Sequence, residues 1–118
     1  MIRCTIGVMA YNEAQNIQHA LNALLAQELC TVEIVEILVM ASGCTDRTVE
    51  IASVVARDFP VIRIEAEPER TGKAAAIKRL MSLAQGEVVV LVGADTLPEP
   101  GAIEQLVSPF ADATVGMT

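Results

Sequence analysis

Four short stretches of the chain, residues 3–9, 33–41, 61–66 and 88–93, are dense in Val, Ile and Leu on successive positions. Runs of that length, apolar without strict alternation, predict strands covered on both faces of a parallel sheet. Between them the spacing changes to that of a helix. Ile17, Ala20, Leu21, Leu24 and Leu25 share one stripe, Val49, Ala52, Ala56 and Phe59 a second, and Ala76, Ile77, Leu80 and Leu83 a third. Asn12 with Gln15 reads as a capping pair for the first helix, Thr45-Asp46 as the cap of the second and Thr71 as that of the third. Pro60 and Gly86 read as stops. A Pro-Glu-Pro turn at 98–100 then leads into a fourth helix of about ten residues ending at Phe110.

Strands alternating with helices in this order predict a Rossmann-like, three-layer α/β/α domain with a mostly parallel sheet. With 118 residues, 53% of them hydrophobic, one core is feasible and two are not, since a chain of this size buries about two-thirds of its surface. No linker, repeat or low-complexity segment divides it. The longest apolar run, residues 88–94, falls far short of the roughly 20 residues that span a bilayer, and Asn12-Glu13 arrives before any signal-peptide core forms. A cytoplasmic chain is therefore expected, with membrane association at the cytoplasmic face left open for a longer protein.

Charge narrows the partners. Eight Lys and Arg face fifteen Asp and Glu, a net charge of −7, which argues against a nucleic-acid or acidic-membrane binder. A phosphate held here needs a bridging cation. Cys4, Cys30 and Cys44 are too few and too scattered for a disulfide framework or a zinc cluster, and His19 is the single histidine. Reduced, partly buried thiols are the expectation.

In an open parallel sheet, ligands sit beyond the carboxyl ends of the strands, so the residues that follow each strand carry the candidate chemistry. After the first stand Ala10, Tyr11, Asn12 and Glu13. Tyr11 can stack on a nucleobase or cover the sheet edge, and Glu13 can bond a base or ribose or complement a helix dipole. After the second comes Ser42-Gly43-Cys44-Thr45-Asp46, where Gly43 permits a turn that offers backbone N–H groups. Asp46 fits a helix cap better than a ligand, and Cys44 has no histidine nearby in sequence to make it a nucleophile. After the third, Arg70 and Lys73 flank Thr71-Gly72 at an expected helix N-terminus, a phosphate-facing arrangement, although the Walker A pattern is not met. After the fourth, Asp95 can share Mg²⁺ or Mn²⁺ with a diphosphate or cap an Asx turn before Pro98.

The pieces IGVMAYNEAQNIQHALNALLAQ, EIVEILVMASGCTDRTVEIA, ERTGKAAAIKRL and GEVVVLVGADTLPEPGAIEQLVSPF, in this order and spacing, resemble the nucleotide-sugar-binding half of a family 2 glycosyltransferase of the GT-A fold class. No single piece is specific; four in register are. The resemblance covers nearly the whole chain and implies transfer of a sugar from a UDP- or GDP-linked donor to an acceptor. It implies that Ala10, Tyr11 and Glu13 contact base and ribose, that Lys73 faces the diphosphate or the base-binding loop, and that Ser42 and Ala94 border the donor. Asp95 matches the last aspartate of the family's D-x-D motif, the ligand of a divalent Mg²⁺ or Mn²⁺ cation.

Two departures bear on that reading. Ala41-Ser42-Gly43-Cys44 stands where the family commonly reads Asp-Asp-Gly-Ser, so neutral Ser42 replaces a carboxylate to the base. Gly93 stands where D-x-D begins with aspartate. In inverting relatives the general base follows a later strand, which here only begins at 114–117. Residues 1–118 are thus expected to be one donor-binding domain that does not complete transfer alone, with a homodimer through an exposed sheet edge or apolar surface as a further expectation. Three other classes stay open: a nucleotide-binding domain without chemistry; a nucleotidyltransferase, which would carry a Gly-rich basic loop where Tyr11-Asn12-Glu13 stands; and an interaction module, which would leave the strand-end clusters without a role.

Overall fold

The computed structural model describes residues 2–67, 72–95 and 97–109, with Lys73 by its backbone alone. Arg70, the expected Thr71 cap, the helix end at Phe110 and the strand expected at 114–117 lie outside these residues.

The elements run β1 (Ile2–Ala10), α1 (Ile17–Leu25), β2 (Val32–Ser42), α2 (Thr48–Asp58), β3 (Ile62–Glu67), α3 (Lys73–Leu83), β4 (Val88–Gly93) and α4 (Ala102–Val107). The strands form one sheet in the order β3-β2-β1-β4, every pairing parallel. Passing from β1 through β2 to β3 by right-handed crossovers puts α1 and α2 on one face. The return from β3 across to β4 reverses direction and puts α3 on the other. The reversal makes a topological switch point between β1 and β4, where open α/β sheets leave a crevice.

The pleat divides the core accordingly. Cys4, Ile6, Val8 and Ala10 of β1, Ile37 and Val39 of β2, and Val88, Val90 and Val92 of β4 point to one face, where Ile17, Leu21 and Leu24, Ala52, and Ile103 and Val107 of the three helices α1, α2 and α4 close over them. On the opposite face Leu38, Met40 and Val89 meet Leu80 of α3. The close seat of α3 depends on Gly7, where an added Cβ would lie 2.3 Å from Leu80 Cδ2. Gly86, read from the sequence as a helix stop, has another task. The helix already ends at Leu83, and Gly86 lies against β1 so closely that a Cβ would come 2.6 Å from the Thr5 amide nitrogen.

Several expectations need correction. β3 is an edge strand and only Ile62 of it is buried, so burial on both faces holds for β1, β2 and β4 but not for β3. Phe59 is 44% exposed at the end of α2 instead of joining its core stripe. α1 begins at Ile17 with Asn16 at its N-cap, because Glu13 O accepts from the Asn16 and Ile17 amides and closes a turn first; Asn12 is used elsewhere. α3 has Gly72 at its N-cap, with φ +91°. α4 has six residues. The thiols also differ: Cys4 is buried, Cys44 half-buried and Cys30 exposed, and burial pushes the Cys4 thiol up to about 12.

Side chains tie the amino-terminal end of the sheet together. Glu36, 4% exposed, accepts from Thr5 Oγ1 at 2.7 Å, the Gln85 amide at 2.6 Å and Arg63 Nη1 at 3.2 Å. Glu104 of α4 accepts from the amides of Cys30, Thr31 and Val32, and Gln27 accepts from the Ile103 amide at 3.0 Å. These bonds hold the polar loops at the base of the sheet and leave its carboxyl end to other work.

Candidate functional site

At the carboxyl end of the sheet a cleft of about 220 Å³ is lined by Met9, Ala10 and Tyr11, by Met40 and Ser42, and by Gly72 and Ala76 at the start of α3. Three of the residues chosen from the sequence, Ala10, Tyr11 and Ser42, are thus brought together. Tyr11 is 42% exposed on the rim. The amino end of α3, where backbone N–H groups carry partial positive charge, forms one wall through Gly72. Lys73 is the next residue along.

The others sit around this cleft. Glu13 lies on the far side of Asn12, in a polar depression shared with Ala14, Gln15, Asn16 and Asp46. Ala94 is buried in the core cluster, and its amide donates to Met9 O at 3.1 Å, which fixes the start of the β4 loop against the end of β1. Asp95 follows, exposed, on the opposite side of β1 from β2. Among the described residues no group of three or more His, Cys, Asp or Glu side chains gathers to hold a metal.

Met9, Met40 and Ala76 were not singled out from the sequence, whereas Gly72 belongs to the loop after β3 that was. The pleat contained the signal: Met9 shares a face with Tyr11, Met40 shares one with Ser42, and the two methionines are register partners. Counting back by two from each polar residue at a strand end finds both.

The first two loops are bound to each other. Asn12, at φ +51°, accepts through Oδ1 from the Thr45 amide at 2.8 Å and the Asp46 amide at 3.4 Å, and donates through Nδ2 to Thr45 Oγ1 at 3.2 Å. The Glu13 amide donates to Thr48 Oγ1 at 2.8 Å, the Ala14 amide to Asp46 Oδ2 at 3.2 Å, and Cys44 Sγ to Ala10 O at 3.6 Å. Asp46 also accepts from the Thr48 hydroxyl and, at 2.9 Å, from the Thr48 amide. The bond from the Thr48 hydroxyl, helped by the amides of Thr48 and Ala14, holds the Asp46 carboxyl below its ordinary value. The N-cap position of α2 falls to Arg47, without a side-chain capping bond; Asp46, expected with Thr45 as the cap, stands one residue earlier and ties the Thr48 amide at the helix start to the Ala14 amide of the other loop.

This arrangement, a parallel sheet with a cleft over the carboxyl ends of β1 and β2, belongs to a chain with recognisable relatives. The sequence model of glycosyl transferase family 2 covers residues 5–118. The chain belongs to glycosyl transferase family 2. Among relatives of this family 2 domain, glycosyltransferase AglE of Haloferax volcanii is 30% identical over 113 residues, 96% of this chain and 37% of AglE. Mannosyltransferase PcManGT of Pyrobaculum calidifontis, solved in complex with GDP-Man and Mn²⁺, superposes with a TM-score of 0.84 at 33% identity, covering 98% of this chain and 34% of that one. Glucosyl-3-phosphoglycerate synthase of Mycobacterium tuberculosis, solved with Mn²⁺, UDP and glucosyl-3-phosphoglycerate, superposes with a TM-score of 0.75 at 24% identity, over 94% of this chain and 40% of its own, and shares the fold. The family 2 domain thus has the GT-A fold and spans little more than a third of these proteins. Among its described residues no helix is long and apolar enough to cross a membrane.

Proposed function

We propose that this family 2 domain binds a nucleoside-diphosphate sugar, UDP- or GDP-linked, as the donor-binding part of a glycosyltransferase. The observation that carries the reading is the cleft lined by Met9, Ala10, Tyr11, Met40, Ser42, Gly72 and Ala76. At about 220 Å³ it suits one ring system, being smaller than the roughly 300–1,000 Å³ of sites that enclose a drug-sized ligand. In this reading the base enters the cleft against Tyr11, with Ser42 at its edge, and the ribose lies toward Glu13. The diphosphate runs past Ala10 and Ala94, with Lys73 and the amino end of α3 on one side and Asp95 on the other. PcManGT, solved with GDP-Man and Mn²⁺, supports this class of ligand.

A divalent cation fits Asp95 on chemical grounds. Mg²⁺ and Mn²⁺ take oxygen ligands, and Mg²⁺ is commonly held by one or two carboxylates, waters and substrate phosphates. One exposed carboxylate beside a phosphate path offers that set. Such a cation would supply neutralisation of the charge that builds on the departing nucleoside diphosphate. Residues 1–118 are assigned to a single donor-binding domain, and acceptor binding and the general base to sequence outside it. A second copy would pair through the outer edge of β4, which carries no charged residue to discourage it. Light scattering over a concentration series should then show mass rising toward a dimer.

The test is a thermal-shift panel of UDP, GDP, CDP and their sugar conjugates with Mn²⁺ or with EDTA, followed by calorimetry. A ligand at a hundred times its dissociation constant adds about 2.7 kcal/mol of stability. A metal-dependent shift with one base is expected, with Asp95→Ala removing the metal-dependent part. No shift with any nucleotide would overturn the reading. A second reading, donor binding without transfer, is favoured by Ser42 and Gly93 at the positions where the family commonly has aspartates. Slow hydrolysis of the bound donor, water taking the sugar as nucleoside diphosphate leaves, seen with Mn²⁺ and lost in EDTA, would favour transfer over binding alone.

A further inference from the structure

We infer that Asn12 is a positioning residue for donor binding: through its side chain the β2–α2 loop holds the β1–α1 loop, and with it Tyr11 and Glu13, in binding geometry. The inference rests on the donor-binding reading and goes beyond it, because Asn12 does not line the cleft. Tyr11 and Glu13 are its two chain neighbours, and neither loop belongs to a helix or strand that would hold them there. What holds them is the bond set between the loops, and the Asn12 side chain lies at its centre. One amide group accepts from two backbone N–H groups and donates to the Thr45 hydroxyl.

The backbone accounts for the residue type. At φ +51° most L-residues are strained, while asparagine tolerates the left-handed region and glycine enters it freely. A residue at that angle turns the chain sharply, so that Tyr11 faces the cleft and Glu13 the depression beyond. Only asparagine both accepts this turn and carries one acceptor and one donor at the reach of Thr45. The Cys44 bond to Ala10 O and the Thr48 and Asp46 bonds to the Glu13 and Ala14 amides flank it on either side. Loss of the central bonds therefore frees the rim without unseating the helices.

The chain supplies its own reporter. Tyr11 is the only tyrosine and there is no tryptophan, so tyrosine emission anisotropy and acrylamide quenching read the rim alone. The experiment compares wild type, Asn12→Gly, Thr45→Val and Glu36→Ala, each by Tyr11 anisotropy without ligand, by thermal midpoint, and by calorimetry with UDP and GDP in Mn²⁺. Asn12→Gly keeps the backbone angle and removes the clamp. Its Tyr11 anisotropy should fall, and its nucleotide affinity should drop about tenfold, a free-energy change the size of one or two lost hydrogen bonds. Thr45→Val, which removes only the hydroxyl, should follow in the same direction by less. Glu36→Ala unties the amino-terminal end of the sheet, opposite the cleft, and should lose stability while leaving Tyr11 anisotropy and affinity as in wild type. Unchanged anisotropy and affinity in Asn12→Gly would overturn the inference while leaving the donor-binding reading intact, and so would equal affinity losses in Asn12→Gly and Glu36→Ala. A wild type that binds neither nucleotide would overturn both.

Discussion

A methyl group added at Gly86 would meet main-chain atoms, the Thr5 nitrogen at 2.6 Å and the Cys4 carbonyl carbon at 2.8 Å, which belong to the central strand and cannot turn aside. At Gly7 the obstacle is the end of the Leu80 side chain, which can rotate at some cost in packing. Overpacking of a tight site costs typically about 1–3 kcal/mol, so Gly86→Ala should fall at the upper end and Gly7→Ala below it. Urea unfolding of both variants checks the order. The cysteines make a second prediction at this scale. With Cys30 exposed, Cys44 half-buried and Cys4 buried, and the Cys4 thiol pushed up to about 12 by burial, a thiol reagent at pH 8 should modify Cys30 first and Cys44 more slowly. Cys4 should react only on unfolding, since the thiolate is the reacting form. None of these environments could be read from three scattered cysteines, because the burial of a side chain depends on which helix covers it.

Glu36 on β2 is the junction at which three strands and the loop after α3 are tied together. Its carboxylate is 4% exposed, and Glu36→Ala would strand the Thr5 hydroxyl and the Gln85 amide and leave Arg63 without its partner. Arg63 remains 43% exposed, so water recovers part of its charge, and a loss of about 2–3 kcal/mol is expected. Glu36→Gln, which keeps one acceptor, should lose less; chemical denaturation separates them. Two other carboxyls fasten element ends. Glu104 is held below its ordinary value of 4.5, first by the Cys30 amide and then by the Thr31 hydroxyl, as Asp46 is below 3.8 by the Thr48 hydroxyl. Both release a proton more readily when folded, so the stability they add is complete above the ordinary carboxyl range and is lost as pH falls through their lowered values. The thermal midpoint should therefore drop on acidification below about pH 4, and less steeply in Asp46→Asn and Glu104→Gln. At this scale the sequence was legible where periodicity alone decides. The expected strands end within one residue of those observed, because short runs rich in Val and Ile, bounded by polar residues, suit a pleated sheet and are too short for a buried helix. Helix starts were not legible, since tertiary partners compete for capping side chains: Asn12 turned to Thr45 and Asp46, and Gly72 took the position expected of Thr71. The cleft was half legible for the same kind of reason. Ala10, Tyr11 and Ser42 stand out at strand ends, whereas Met9 and Met40 have the composition of core and are marked as lining only by the pleat that pairs them with polar neighbours, and Ala76 in α3 carries no such mark.

For the whole molecule, sheet order and charge act against each other at the site. The order β3-β2-β1-β4 places the crevice beside β1, where the amino end of α3 attracts phosphate, while a net charge of −7 repels any diphosphate that approaches from a distance. The two influences respond differently to salt. The helix end would act at contact, whereas the net charge acts across a Debye length of about 30 Å at 0.01 M salt and about 8 Å at 0.15 M. In EDTA, affinity for UDP or GDP should consequently rise about twofold or more over that range, as screening removes the long-range repulsion. With Mn²⁺ the metal–nucleotide complex carries less negative charge, and the gain should vanish or reverse, because salt also weakens attraction of the cation to the acidic chain. Calorimetric titrations at the two ionic strengths, each with Mn²⁺ and with EDTA, decide the matter. Affinity that falls with salt in EDTA would mean that the α3 end dominates the field at the cleft. The chain would then need no cation to admit the nucleotide, and Asp95 would matter only for a later step.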